Sequence, residues 1–241
     1  MNIADIQECL KSLSSRKQIF HSEAEFQFEL AWEIKQKLGD KYKDLEVRFE
    51  FPAQEMRKNA DLLKGMGDIK SRPAIDLLVI INDRWYPIEL KYITAELSIN
   101  EYNLVGGNGT DKSFNFIYDI KRIELFADAY KTNFDKGFSI LLTNNQHYYN
   151  SKIMRTTKFD YNSFCLTDNR IIDGTIWYKS EAKIRHVTPQ NANYNVKLKK
   201  IDEQKHFKLK GTYQIRWENY SSIQKQGKNI QFKYVVCEIT N

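Results

Sequence analysis

Two short apolar runs, Ala74-Ile-Asp76-Leu-Leu-Val-Ile-Ile81 and Tyr86-Pro-Ile-Glu89-Leu-Lys91-Tyr92, are separated by Asn82-Asp83-Arg84-Trp85. Both runs are β-branched and aromatic, and Asn-Asp is turn chemistry, so the segment predicts a β-hairpin. A two-residue loop at Asn82-Asp83 pairs Ile81 with Arg84 and, counting outward, Asp76 with Glu89. Residues directly opposite share a face, with Cβ atoms roughly 4.5–5.5 Å apart. Lys91, two residues beyond Glu89, shares that face as well. Like charges placed directly opposite each other destabilise a hairpin, and a divalent cation between them would offset that.

The rest of the composition sets bounds. The chain has 241 residues, enough for one large domain or one domain with an appendage. Its hydrophobic content of 41%, with 14 Tyr, 14 Phe and 4 Trp, supports a substantial core and excludes a disordered chain. No apolar run approaches the ~18 residues of a membrane span. The first residues lack the charged-then-apolar pattern of a signal peptide. Cys9, Cys165 and Cys237 are widely spaced and suit reduced core thiols. Together these features predict a cytoplasmic protein with no membrane partner.

The net charge is +6, and it is unevenly placed. Between Lys179 and Lys210 nine Lys and Arg, among them Lys183, Arg185, Lys197 and Lys199, face three acids. Such a stripe can neutralise phosphates without reading sequence, and it can equally be a solvated lysine-rich surface.

Along the chain, residues 2–15 read as a helix through Ile3, Ile6, Leu10 and Leu13. Ser22, with Glu25 three residues on, makes a capping-box pattern for a second helix that stops at Gly39-Asp40. Residues 45–51 alternate as a strand, 94–112 read as a loop tipped by Gly106-Gly-Asn-Gly109, 114–130 as a long helix and 137–143 as a buried strand. Short strand-like stretches dominate beyond residue 150. On the second helix Glu23, Gln27, Leu30 and Ile34 follow the spacing of one face, which places a carboxylate toward the apolar stripe. Glu23 either stabilises the helix N-terminus through its dipole or reaches the hairpin's carboxylates.

With Asp76 on one strand, Glu89-Leu90-Lys91 on the next and Glu23 on a preceding helix, the chain resembles the PD-(D/E)XK nuclease superfamily. Ile75 stands where the motif's name has Pro. More of the chain resembles a bacterial subgroup of that superfamily with no assigned activity, through Ser22-Glu23, Gln27, Ile88–Tyr92, Asp119-Ile120-x-x-Ile123-Glu124 with Arg122, Leu141–Asn144 and Gly211-x-Tyr213-x-x-x-Trp217-x-x-Tyr220-Ser221. The resemblance implies an α/β restriction-endonuclease-like core over residues 1–150, a central mixed β-sheet flanked by helices. Residues 151–241 would be a β-rich C-terminal part, separate or continuous with that core. It further implies a Mg²⁺- or Mn²⁺-dependent deoxyribonuclease, endo- or exonucleolytic, with defence, repair or mobile-element settings in view and a homodimer among its forms.

In that reading Asp76 and Glu89 are the metal ligands, hard oxygen donors suited to Mg²⁺. Lys91 orients or deprotonates the attacking water or stabilises the oxyanion. Glu23 is the accessory acid, and Gln27 is a phosphate contact or a support behind the ligands. Arg122, Lys183, Arg185, Lys197 and Lys199 would bind substrate. The alternative class is a degenerate nuclease-like module that holds nucleic acid or a protein partner without cutting; RNA cleavage is a third option. Asp119 and Arg122 read either as a surface i, i+3 pair or as the edge of the cleft. The Gly106–Ser113 stretch lacks the P-loop's second glycine, the four histidines have no zinc-ligand spacing, and no GxSxG pattern occurs.

Overall fold

In the computed structural model Asn82 and Asp83 both take left-handed backbone, with φ of 49° and 62°, as a type I′ turn requires. The structure describes residues 1–56, 73–106, 110–150, 161–178 and 206–240. The turn joins β2 (Ala74–Ile81) to β3 (Arg84–Ile93), which pair antiparallel from Ile81↔Arg84 to Leu77↔Ile88, in the register expected of a two-residue loop.

This hairpin lies within a six-stranded mixed sheet. Strand β1 (Glu46–Pro52) pairs antiparallel with β2 at one edge. After β3 comes a short hairpin, β4 (Leu97–Ile99) and β5 (Tyr102–Leu104), where only loop was expected. Helix α3 (Thr110–Ala129), numbered after α1 (Ile3–Arg16) and α2 (Glu23–Leu38), then crosses back so that β6 (Lys136–Thr143) runs parallel to β3. A parallel pair needs such a long crossover. Gly137 permits the close approach of β6 to that helix, because a Cβ there would run into Ile123.

Among its described residues the C-terminal part adds two short helices, α4 (Gln146–Tyr149) and α5 (Tyr161–Phe164), and four short strands, β7 (Ile171–Ile172), β8 (Thr175–Trp177), β9 (His206–Lys208) and β10 (Tyr213–Gln214). Its last two strands, β11 (Glu218–Lys225) and β12 (Lys228–Thr240), complete the central sheet in the order β1-β2-β3-β6-β12-β11. The protein is therefore α/β, with a six-stranded mixed sheet packed against helices.

Period-2 alternation divides the sheet's side chains between two cores. One face, with Leu78, Ile80, Ile93, Leu141, Val235 and Ile239, packs on Phe116, Ile120 and Ile123 of α3. The other, with Leu77, Val79, Ile88, Leu90, Ile140 and Val236, packs on Ile6 and Leu10 of α1 and on Phe26, Leu30 and Ile34 of α2. Helix α1 is also zipped to the β11–β12 hairpin. Ile3 N donates to Glu238 (3.0 Å), Tyr220 Oη to the Lys17 carbonyl (2.8 Å) and Ser221 Oγ to that of Gln18 (2.7 Å). All three cysteines are buried and free. Among the described residues no helix is long and apolar enough to cross a membrane.

Helix α2 begins at Ser22, whose side chain accepts from Glu25 N, but the capping box is only half formed. The Glu25 carboxylate turns to His21 N and Lys17 instead. Glu124 is likewise structural. It is 3% exposed, and it accepts from Lys210 N (2.7 Å), Gly211 N (3.0 Å) and Tyr213 Oη (2.9 Å) while pairing with the buried Lys121 at 2.9 Å. Removing one partner of a buried ion pair leaves the other unpaired and typically costs about 3–5 kcal/mol. Glu124→Ala is expected to lower unfolding free energy by about that amount in urea denaturation. A loss below about 1 kcal/mol would show that water re-satisfies the stranded donors.

Candidate active site at the fork of the central hairpin

The β2–β3 ladder stops one pair short of Asp76 and Glu89. Leu90 N donates to the Asp76 carboxylate at 2.7 Å, so a side chain takes the place of a ladder carbonyl and the strands fork. On the other side of β2 the pairing with β1 skips Glu50, whose φ is 45°. Asp76 is thus not the direct cross-strand partner of Glu89 that the register alone implies. Gln27 occupies this break, its Nε2 donating to the Asp76 carbonyl (2.6 Å) and to Glu50 (3.1 Å).

Glu89 and Lys91 alternate with Ile88 and Leu90 and so point to the α3 face, whereas Glu23 and Gln27 come from α2 on the opposite face. The expectation that Glu23 lies in the apolar stripe is corrected, since its side chain is 46% exposed. It reaches the site across the strand instead, accepting from Tyr92 N at 2.8 Å and lying 3.8 Å from Lys91 Nζ.

From there an alternating chain of charges runs inward. Lys91 Nζ is 3.2 Å from Asp119, Arg122 Nη1 is 3.7 Å from Asp119, and Arg122 Nη2 is 3.3 Å from Glu89. Asp119 and Arg122 are therefore drawn into a largely buried charged cluster and are not a surface pair. Arg122 Nη2 donates to the Ala74 carbonyl. Glu89 is fully buried, and among the described residues neither of its carboxylate oxygens accepts a hydrogen bond.

Burial pushes the Glu89 carboxyl well above its ordinary range; Arg122 opposes this, and the charges of Asp76 and Asp119 add to it. Burial likewise pushes Asp119 up to about 6, against the pull of Lys91 and Arg122. Burial works against the Lys91 ammonium, but Asp119, Glu23, Glu89 and Asp76 outweigh it, and its pKa rises. Arg122 is raised too, Glu89 and Asp119 overcoming its burial.

Asp76, Glu89, Lys91, Glu23, Gln27 and Arg122 thus converge on one place. The substrate contacts expected at Lys183, Arg185, Lys197 and Lys199 lie outside the described residues, as do residues 107–109 at the tip of the glycine loop. Asp119 is the residue that sequence reasoning left undecided. It sits three residues after Phe116 and four before Ile123, on the buried stripe of α3, and that spacing was its signal. Tyr213, Trp217, Tyr220 and Ser221, part of the resemblance, bond instead to Glu124 and to the backbone of Leu166, Lys17 and Gln18.

Four carboxyl groups (Glu23, Asp76, Glu89, Asp119) thus share two cations, fewer than would neutralise them if all were ionised. Among the described residues no group of three or more His, Cys, Asp or Glu is disposed to hold a metal. Compared with models of known families, with characterised proteins and with solved structures, the chain matches none.

The buried acids make stability depend on pH. A carboxyl whose pKa is raised by folding stabilises the fold fully below its unfolded pKa and loses that contribution as pH rises through the folded value. For Asp119 this window runs from 3.8 to about 6, and Glu89 extends it upward from 4.5. In EDTA the urea midpoint is expected to fall as pH rises across this window, and Glu89→Gln should flatten the decline. Parallel profiles for the two proteins would mean that Glu89 adds nothing to it.

Proposed function

We propose that this protein is a metal-dependent nuclease that hydrolyses DNA phosphodiester bonds, built on a restriction-endonuclease-like core. The observation that carries the reading is Glu89, a fully buried carboxyl group whose oxygens accept no hydrogen bond among the described residues, beside Asp76 at the fork. Desolvating such a group is costly unless something compensates it. Mg²⁺ is commonly held by one or two carboxylates, with waters and substrate phosphates completing its shell. The residues present therefore fit Mg²⁺ or Mn²⁺, with Asp76 and Glu89 as protein ligands. A bound ion there would supply a water of lowered pKa and polarise the phosphate.

The chain's own groups would divide the remaining work. Lys91, held as an ammonium by four carboxylates, stabilises negative charge on the phosphate and does not act as the base. Gln27 spends both Nε2 hydrogens inside the chain, so it holds the fork open and does not bind phosphate through them. Glu23 tethers Lys91 from the far face. The net charge of +6, on a chain whose central cluster is itself negative, favours a polyanionic substrate bound around that cluster.

One observation favours the rival class, a module that holds nucleic acid without cutting it. Lys91 and Arg122 are already paired within the protein. A single assay separates the two. Plasmid, single-stranded DNA and RNA are incubated with the protein in Mg²⁺, Mn²⁺ or EDTA, beside Asp76→Ala and Lys91→Met. Metal-dependent cleavage of DNA is expected, with each substitution lowering the rate by about 10²-fold or more. Cleavage that survives both substitutions would place the activity elsewhere. Salt-sensitive binding without cleavage under any condition would establish the binding module.

A further inference from the structure

We propose that Asp119 is a positioning residue that holds the Arg122 guanidinium off the Glu89 carboxylate. The inference rests on the metal-site reading above and concerns what keeps Glu89 open to a cation. A guanidinium and a carboxylate sharing a dry site ordinarily close into a bidentate pair, with N···O distances of about 2.7–2.9 Å. Here Arg122 Nη2 stays 3.3 Å from Glu89 and makes no hydrogen bond to it.

The guanidinium is directed elsewhere. Nη2 donates to the Ala74 carbonyl at the start of β2, and Nη1 faces Asp119 one turn back on the same helix. Asp119 is 3% exposed and is fixed from its other side by Lys91 at 3.2 Å. Arg122 therefore lowers the electrostatic cost of a buried Glu89 without occupying its lone pairs. It remains a poised cation for a phosphate, while among the described residues neither Glu89 oxygen is taken by a hydrogen bond.

Loss of the Asp119 charge removes the opposing pull. The guanidinium then closes on Glu89 and competes with the metal for it. Asp119→Asn keeps the shape of the side chain and isolates this effect.

The test is Mn²⁺ titration of the full chain by calorimetry, for wild type, Asp119→Asn, Arg122→Gln and the double variant, with circular dichroism to confirm folding. Asp119→Asn is expected to weaken Mn²⁺ binding about 10–100-fold, the usual cost of losing an outer partner of a ligand. Arg122→Gln should bind at least as tightly as wild type, and in the Asp119→Asn background it should restore most of the loss. Equal affinity of wild type and Asp119→Asn, or a double variant no tighter than Asp119→Asn, would overturn the proposal. If Asp119→Asn does not fold, a tenfold loss in Arg122→Gln alone would overturn it. Absence of Mn²⁺ binding by wild type would instead overturn the metal reading itself, and this inference with it.

Discussion

The hydrogen bond from Leu90 N to the Asp76 carboxylate decides how the centre of the molecule is built. A buried backbone N–H must have an acceptor. In a continuous hairpin that acceptor would be a ladder carbonyl, and β2 and β3 would stay zipped past Glu89. By supplying the acceptor from its side chain, Asp76 lets the strands part without leaving the donor unpaired. The Asp76 carbonyl, on the other edge of β2, is left free where the pairing with β1 skips Glu50, and Gln27 reaches it from the opposite face of the sheet. Asp76 thus connects two layers that the sheet would otherwise keep separate.

The cluster that grows at the fork runs against the usual economy of a core. Glu89, Asp119, Lys91 and Arg122 are mostly withdrawn from water, and alternation of sign makes that tolerable. Desolvation and attraction are both large there and nearly offset each other. A site balanced in this way responds strongly to any added charge, a property that a purely structural ion pair does not need. Buried groups with displaced pKa values gathered in one place are a physical ground for the functional reading proposed above.

Much of this was legible in the sequence. Asn82-Asp83 set the hairpin, its register and the shared face of Glu89 and Lys91, because turn type and period-2 geometry are local properties. The end of the ladder was not legible, since it turns on the Asp76 side chain accepting from Leu90 N, and neither was the break on β1, which turns on the positive φ of Glu50. Glu23 was placed on the correct helix but at the wrong depth, because helical spacing gives a face and not how far a sheet extends beneath it. The pairing of β12 with β6 joins residues far apart in the chain, and no local pattern encodes it. The restriction-endonuclease-like reading was suggested by a short motif, whereas the mixed sheet rests on the observed topology.

The zipper between α1 and the β11–β12 hairpin has a consequence for the order in which the molecule can assemble. Ile3, Lys17 and Gln18 bond to residues between 220 and 238, and β6 has no neighbour on one side until β12 is in place. During synthesis one edge of β6 must therefore wait, uncovered, for nearly the whole chain, while α1 has α2 to pack on but not the last hairpin. Such non-local pairings are characteristic of slow folding and leave strand edges open to aggregation. The fork, sitting two strands in from β12, can gain its final rigidity only when that last hairpin docks. Nascent chains would be expected to carry the charged cluster in an unformed state.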